Sequence, residues 1–188
     1  ADFEYIRVYA DMVHKADPRI KIASTVSPNH ETLIGAIDLW IPGTPSIEAY
    51  PKSILERQAQ NQEVWWYVCN KPFAPLANFF IDHAGIEPRV LFWTQTNLEL
   101  DGALYYSVDG WRKDEVLENR WLHPYVEGAN GDGFLYYPPT KEDLTKTLYK
   151  DAEITGTFDP TIIPSIRLEL IREGLEDAEY IYILKEKL

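Results

Sequence analysis

The sequence has little that would indicate a disulfide-bonded, membrane-spanning or nucleic-acid-binding protein. Its 188 residues include one cysteine, Cys69, so no internal disulfide can form. No apolar run reaches the length of a transmembrane helix, and the N-terminus has no signal-peptide pattern. The chain begins at Ala1 without Met, as expected of a processed or excised chain. Lys and Arg number 18 against 30 Asp and Glu, a net charge of −12, which argues against a protein that binds phosphate backbones.

Aromatic residues are abundant instead. They make up 13% of the chain and include 6 Trp and 12 Tyr. Trp and Tyr combine a flat apolar face with a polar edge, and sugar-binding clefts use such faces. The alternative for each ring is packing in the core of the single globular domain that the length and the 45% hydrophobic content predict.

The order of the predicted elements is typical of an α/β fold. Helices are predicted at residues 3–16, from about Pro51 to residue 62, at 75–100 and at 164–188, and strands at 20–26, 36–42, 63–69, 101–108 and 134–138. Strands that alternate with helices predict a parallel sheet, whose ligands bind at the carboxyl ends of the strands. Four such units are about half of a barrel of ~250 residues. The chain is therefore either a small open sheet or half of a barrel.

Candidate binding residues lie at or just after the predicted strand ends. Four aromatic residues could stack on a sugar ring and form the wall of a subsite: Trp40, Tyr67, Tyr106 and Trp111. Two polar residues could hydrogen-bond sugar hydroxyls or, alternatively, cap their loops: Asn70 and Asp109. His123 lies in an aromatic tract after the fourth strand and is a further candidate. Core packing is the alternative for the aromatic residues, and we expect it for Trp65, Trp66 and Trp93.

We expect no metal or cofactor. The four histidines lack His-x-x-x-His spacing, and no cysteine cluster exists. The sequence NGDG at 130–133 lacks the spaced acidic ligands of a calcium loop and predicts a tight turn. Two acidic pairs, Asp114-Glu115 and Glu142-Asp143, have basic neighbours, which lower the pKa of a carboxyl group. A general acid needs a raised pKa, so neither pair is expected to be catalytic.

Four segments carry a resemblance to a known family: EVWWYVCNKP, PRVLFWTQTNLELDGALYYSVDGW, NGDGFLYYP and IPSIRLELIREGLEDAEYIYIL. In this order and spacing they resemble the C-terminal part of a bacterial domain family. That family is related to glycoside hydrolase family 123, the retaining β-N-acetylgalactosaminidases. The resemblance covers nearly the whole chain.

The resemblance implies a (β/α)8 TIM-type barrel, of which this chain would supply strands 5 to 8 and the closing helix. Residues 1–188 would be one domain, with βα units at 1–108, a long loop region with an extra strand at 109–163 and the closing helix at 164–188. In the family, an Asp-Glu pair at the end of strand 4 assists attack by the substrate's own 2-acetamido group, a substrate-assisted mechanism. That position would lie upstream of Ala1, so no catalytic residue is expected in this chain.

The implied ligand is a glycan that contains N-acetylhexosamine. The implied partner is the N-terminal half of the same protein or a second copy of the chain, because half a barrel would leave two sheet edges exposed. Two alternatives belong to other functional classes. One is a non-catalytic carbohydrate-binding module, and the other is a self-associating structural domain without a ligand.

The charged stretch SIRLELIREGLEDAEY at 165–180 looks like an active site but is predicted to be structural. It carries an apolar stripe at helical spacing, formed by Ile171, Leu175 and Ala178. Arg167 lies at the start of this helix, where the helix dipole disfavours an exposed cation. We therefore expect Arg167 to be partly buried and bonded to a carboxylate or to loop carbonyls of the 128–133 turn.

Overall fold

A computed structural model describes residues 3–110, 125–126, 129–137 and 163–188. The chain divides into two compact units. Unit 1 comprises residues 1–68 and 94–104, and unit 2 comprises residues 69–93 and 105–188. None of the helices within the described residues has the length and hydrophobicity that a membrane crossing requires.

Unit 1 is built on a parallel sheet. Its elements are α1 (Phe3–Ala16), β1 (Ala23–Ser24), a 3-10 turn (Glu31–Leu33), β2 (Leu39–Trp40), α2 (Thr44–Ala49), α3 (Pro51–Ala59) and β3 (Glu63–Val68). They are followed by α4 (Glu87–Asn97) and β4 (Gly102–Tyr105), both of which cross the boundary between the units. The strand order is β1-β2-β3-β4. This confirms the mixed α/β class and the parallel sheet, but the described strands form an open sheet and not a closed barrel.

The sheet has one buried face. Along β3, Val64, Trp66 and Val68 are buried, while the alternate residues are only half-buried. The Trp66 indole, on the buried face, donates a hydrogen bond to Oε1 of Gln95 near the end of α4 at 2.7 Å. An apolar parallel strand is expected to be buried on both faces. The half-buried second face, which includes Trp65, therefore departs from that expectation.

The helix α1 is fixed to the segment between β1 and β2. Leu33, Ile37 and Trp40 form a fully buried cluster, against which Phe3 and Ile6 of α1 pack. Of the hydrophobic residues whose spacing predicts this helix, Phe3, Ile6 and the buried Ala10 lie on its inner face, whereas Tyr9 is 64% exposed. Polar contacts add to the packing, since the Arg7 guanidinium donates hydrogen bonds to the carbonyls of Thr32 and Ile34 at 2.8 and 3.0 Å.

Some predicted elements are shorter than expected. The helix expected at 75–100 forms only over α4, because a network centred on Asn78 holds the preceding chain in a loop. Its side-chain amide donates to the carbonyls of Cys69 and Pro72 and accepts from the amide of Phe79. Such local hydrogen bonds compete with helix formation. The helix predicted from about Pro51 is present as α3 but ends at Ala59, before residue 62. The short helix α2 precedes it and does not continue into it, because Pro51 has no N–H to extend a helix.

The described residues of unit 2 include two short antiparallel pairs and a long helix. The pairs are β5 (Tyr125–Val126) with β6 (Ala129–Asn130), and β7 (Tyr136–Tyr137) with β8 (Ile163–Pro164). The extra strand expected at 134–138 is present as β7. The last helix, α5, spans Ile166–Lys187 and starts two residues after the predicted position.

Within unit 2, α5 is attached to α4 through Asp177. The Arg89 guanidinium and the Trp93 indole donate to the two Asp177 oxygens at 2.7 and 2.6 Å. Gly174 allows the close approach, because a Cβ there would lie 2.9 Å from the Phe92 ring. Two expectations were wrong. Leu175, expected on the buried stripe, is 49% exposed, and Trp93, expected in the core, is 44% exposed.

A substitution at Gly102 tests the packing of the sheet. A Cβ at this position would lie 2.8 Å from the Trp65 ring, so Gly102→Ala should lower the free energy of unfolding by about 1–3 kcal/mol. The matched control is Gly85→Ala, since no atom lies within 4 Å of its Cβ position. That variant should stay within about 0.5 kcal/mol of wild type. Urea unfolding measures both, and equal effects would contradict the close Gly102–Trp65 contact.

Asp177 should stabilise the fold at neutral pH and contribute less as the solution becomes acidic. Hydrogen bonds from Arg89 and then Trp93 lower its pKa from 3.8 to about 2. Because the folded-state pKa is depressed, the stabilisation is present above pH 3.8 and is lost as the pH falls towards 2. Asp177→Asn should therefore reduce the free energy of unfolding at neutral pH, and its difference from wild type should shrink between pH 4 and pH 2.

The matched control for this test is the neighbouring acid, Glu176→Gln. Glu176 forms an exposed ion pair with Arg172 at 3.6 Å, and exposed pairs contribute little to stability. Chemical denaturation as a function of pH compares the two variants. A Glu176→Gln effect as large as that of Asp177→Asn would show that the Asp177 contacts are not specific.

Candidate functional site

In unit 1, Trp40 at the carboxyl end of β2 belongs to the core. Its side chain is 0% exposed, and its indole nitrogen lies 3.3 Å from Oε1 of Gln62. Trp40 pairs in register with the buried Val64, so it lies on the covered face of the sheet. Neither face of its ring is open to a sugar, and the structure does not place Trp40 on a binding surface.

Tyr67 lies near the carboxyl end of β3 on the half-buried face of the sheet. Its backbone pairs with Gly43, and a Cβ at Gly43 would lie 3.6 Å from the Tyr67 ring. A glycine therefore lies against one side of this ring. Stacking of Tyr67 on a sugar remains a prediction.

In unit 2, the segment after β4 presents two of the predicted binding side chains to solvent. Tyr106 is 81% exposed, and Asp109 is also exposed. Among the residues that the structure describes, neither the Tyr106 hydroxyl nor the Asp109 carboxylate has a hydrogen-bond partner. Asn70, in the loop after β3, is exposed as well, and its side-chain oxygen lies 3.3 Å from the Cys69 sulfur.

The backbone of the 105–110 segment is fixed by the Gly131–Gly133 turn. The carbonyl of Gly133 accepts hydrogen bonds from the Gly110 amide at 2.7 Å and from the Ser107 hydroxyl at 3.1 Å. The Gly133 amide donates to the Tyr105 hydroxyl at 2.8 Å. Gly110 must be small at this contact, because a Cβ there would lie 2.5 Å from the Gly133 carbonyl oxygen. Tyr106 and Asp109 therefore extend from a segment held at several points.

A buried polar group lies at the same turn. Asp132 is 4% exposed, and the Tyr105 hydroxyl lies 3.4 Å from its Oδ1. Burial, with a contribution from Asp132, raises the pKa of the Tyr105 phenol, which stays protonated. The Phe79 ring packs edge-on against Tyr105 at 4.9 Å. The sequence pattern at 130–133 correctly predicts the turn but gives no sign that Asp132 is buried.

Arg167 binds this turn as expected from its position in the sequence. Its side chain is 4% exposed, and Nη1 donates to the carbonyls of Phe79 at 2.7 Å and Gly131 at 2.6 Å. The prediction that it would be buried and bonded to carbonyls of the 128–133 turn is confirmed. Desolvation lowers the pKa of the guanidinium.

The loop that carries Asn70 has its own supports in unit 2. The buried Asn78 holds its first residues through the carbonyls of Cys69 and Pro72. The backbone N–H of Asn78 donates to Oε2 of Glu87 at 3.0 Å, and Nδ1 of His83 lies 2.6 Å from the same oxygen. Glu87 thus attaches the loop to the start of α4.

Two predicted binding residues, Trp111 and His123, lie outside the described residues, as do the pairs Asp114-Glu115 and Glu142-Asp143. Within the described ranges, no group of three or more His, Cys, Asp or Glu residues could hold a metal ion. What the described residues of unit 2 provide is an exposed aromatic ring and an exposed carboxylate, three residues apart on one fixed segment. Such groups can bind a polyhydroxylated ring, since the carboxylate accepts hydroxyl protons and the aromatic face contacts C–H groups.

Comparison with known proteins identifies the family of the chain. Residues 1–152 match the family model of the glycoside hydrolase 123 catalytic domain. The matched residues include the whole parallel sheet and the Tyr106–Asp109 segment. No curated protein matches the chain. Because the match covers well over half of the 188 residues, the chain belongs to the glycoside hydrolase 123 catalytic-domain family.

Proposed function

We propose that this chain is the C-terminal part of the catalytic domain of a retaining glycoside hydrolase that acts on β-linked N-acetylhexosamines. In this proposal it supplies sugar-binding residues and not the catalytic pair. Family membership supports glycoside hydrolysis in general. The observation that carries the binding role is the pair of exposed side chains, Tyr106 and Asp109, on a segment whose backbone is fixed.

The proposed binding residues have distinct roles. The Tyr106 ring stacks on the apolar face of the pyranose, and the Asp109 carboxylate accepts hydrogen bonds from its hydroxyls. The Asn70 amide can both donate to and accept from a hydroxyl. All three are exposed in unit 2. Tyr67 of unit 1 and the undescribed Trp111 and His123 stay predictions that rest on the sequence.

The chemistry would follow the substrate-assisted route. The oxygen of the substrate's 2-acetamido group attacks the anomeric carbon, an aspartate orients that group, and a glutamate protonates the leaving oxygen and later activates water. The described residues contain no consecutive Asp-Glu pair. In this proposal the pair belongs to a strand that precedes this chain, in the N-terminal half of the domain.

Exposed apolar surface in unit 1 supports such a missing half. On α1, Tyr5, Val8, Tyr9 and Met12 are exposed at the i, i+3, i+4 and i+7 spacing of one helix face. The edge strand β1 also has one unpaired side within the described sheet. Natural proteins seldom leave such edges and faces uncovered. The N-terminal half of the same protein is the proposed cover, and a second copy of the chain is the alternative.

An assay of the complete protein tests the proposed reaction. It should release 4-nitrophenol from 4-nitrophenyl N-acetyl-β-galactosaminide. The matched substrate, 4-nitrophenyl β-galactoside, should give no turnover, because it lacks the acetamido nucleophile. Equal turnover of both would contradict substrate assistance. Binding of N-acetylgalactosamine without turnover of either would favour the alternative of a carbohydrate-binding module.

Replacement of Tyr106 tests its place in the sugar site. Tyr106→Ala should raise KM about tenfold, on the order of 1.4 kcal/mol, because a stacking surface is lost. Its side chain is mostly exposed, so stability should change little. The control is Tyr180→Ala, a similarly exposed tyrosine on α5. A KM unchanged by Tyr106→Ala, or raised equally by both variants, would remove Tyr106 from the site.

A further inference from the structure

The guanidinium of Arg167 connects three parts of unit 2. It extends from the first turn of α5, and its Nη1 donates to the carbonyls of Phe79 and Gly131 at 2.7 and 2.6 Å. Its Cζ lies 5.3 Å from the centre of the Phe134 ring. Phe79 precedes α4, and Gly131 begins the turn that holds the Tyr106–Asp109 segment. Arg167 thus joins the turn to the start of α5 and to the segment before α4. Hydrogen bonds from the Ile81 amide to the Asn130 carbonyl and from the Asn130 side chain to Asp82 also attach the turn to that segment.

Stability alone is a poor explanation for an arginine at this place. Arg167 is almost completely buried, and its Nη2 has no hydrogen-bond partner among the residues that the structure describes. Burial of a cation with an unpaired nitrogen is costly, and apolar residues often replace buried charges with no loss of stability. What arginine contributes and an apolar side chain cannot is a charge-assisted hold on two backbone carbonyls.

The contact with Gly131 is close enough to exclude any side chain there. A Cβ on Gly131 would lie 2.6 Å from Nη1 of Arg167, and the residue has a φ of +77°, which favours glycine. Two residues further on, the Gly133 carbonyl accepts from the Gly110 amide and the Ser107 hydroxyl. The guanidinium and the residues on both sides of Asp109 are therefore hydrogen-bonded to carbonyls of the same three-residue turn.

We infer that Arg167 is a positioning residue of the sugar site, which fixes Tyr106 and Asp109 through the Gly131–Gly133 turn. The inference rests on the proposed function, because only a sugar bound at Tyr106 and Asp109 makes their position matter. Arg167 itself touches no substrate. Its loss should weaken sugar binding by more than the accompanying loss of stability explains.

The test compares two destabilising variants of α5 in the complete protein. Arg167→Met keeps an unbranched apolar side chain and removes both hydrogen bonds to the carbonyls. Gly174→Ala is the matched control, because its Cβ would lie 2.9 Å from the Phe92 ring, away from the turn. Both should lower Tm. Hydrogen exchange of segments 106–110 and 131–136 and the Kd for N-acetylgalactosamine are then measured for wild type and both variants.

Arg167→Met should speed amide exchange in both segments and weaken the Kd about tenfold or more, since displacement of binding groups by about 1 Å has effects of this size. Gly174→Ala should leave both quantities close to wild type. Equal changes in the two variants would overturn the inference, as would faster exchange with an unchanged Kd. A wild-type protein that binds no sugar is a separate result, which overturns the proposed function and this inference with it.

A second pair of variants decides the question if Arg167→Met does not fold. Gly131→Ala forces a methyl group against the guanidinium, while Gly133→Ala imposes similar backbone strain at a φ of +75° with no atom closer than 4.0 Å. Gly131→Ala should weaken the Kd for N-acetylgalactosamine by about tenfold more than Gly133→Ala does. Equal Kd values for the two variants would overturn the inference.

Discussion

Buried backbone carbonyls need hydrogen-bond donors, and in unit 2 a single buried guanidinium donates to two such carbonyls. Arg167 donates hydrogen bonds to the carbonyl of Phe79, which precedes α4, and to the carbonyl of Gly131, which begins the Gly131–Gly133 turn. An unsatisfied carbonyl in such a place costs free energy comparable to a lost hydrogen bond. This turn also holds the segment after β4. The orientation of the exposed Tyr106 and Asp109 therefore depends on Arg167 of the last helix.

This arrangement changes the interpretation of the charged stretch at 165–180. Its acidic and basic residues suggest catalysis, but their contacts are structural. Arg167 donates hydrogen bonds to the Gly131–Gly133 turn, and Asp177 accepts hydrogen bonds from Arg89 and Trp93 of α4. Arg172 forms ion pairs with glutamates of its own helix. The stretch therefore stabilises the part of the molecule that presents Tyr106 and Asp109, the proposed sugar-binding groups.

Sequence patterns predicted the elements whose hydrophobic spacing is strong. The inner face of α1, the strand β3 and the burial of Arg167 follow from periodicity and helix-end electrostatics. Trp40 could not be placed in this way, because an aromatic residue at a strand end looks the same whether it faces a ligand or the core. The side chain of Asn78, which replaces helix with loop before α4, is likewise a tertiary effect that spacing does not reveal.

The chain belongs to the glycoside hydrolase 123 catalytic-domain family, and our proposal assigns sugar binding to the exposed Tyr106 and Asp109. In the proposed function, hydrolysis requires a catalytic pair from elsewhere in the domain and a sugar held against these two side chains. A crystal structure of the complete protein with N-acetylgalactosamine tests this most directly. We expect the pyranose to stack on Tyr106 and to bond the Asp109 carboxylate, with Arg167 still bound to Gly131. A sugar bound elsewhere, with both side chains facing solvent, would contradict the account.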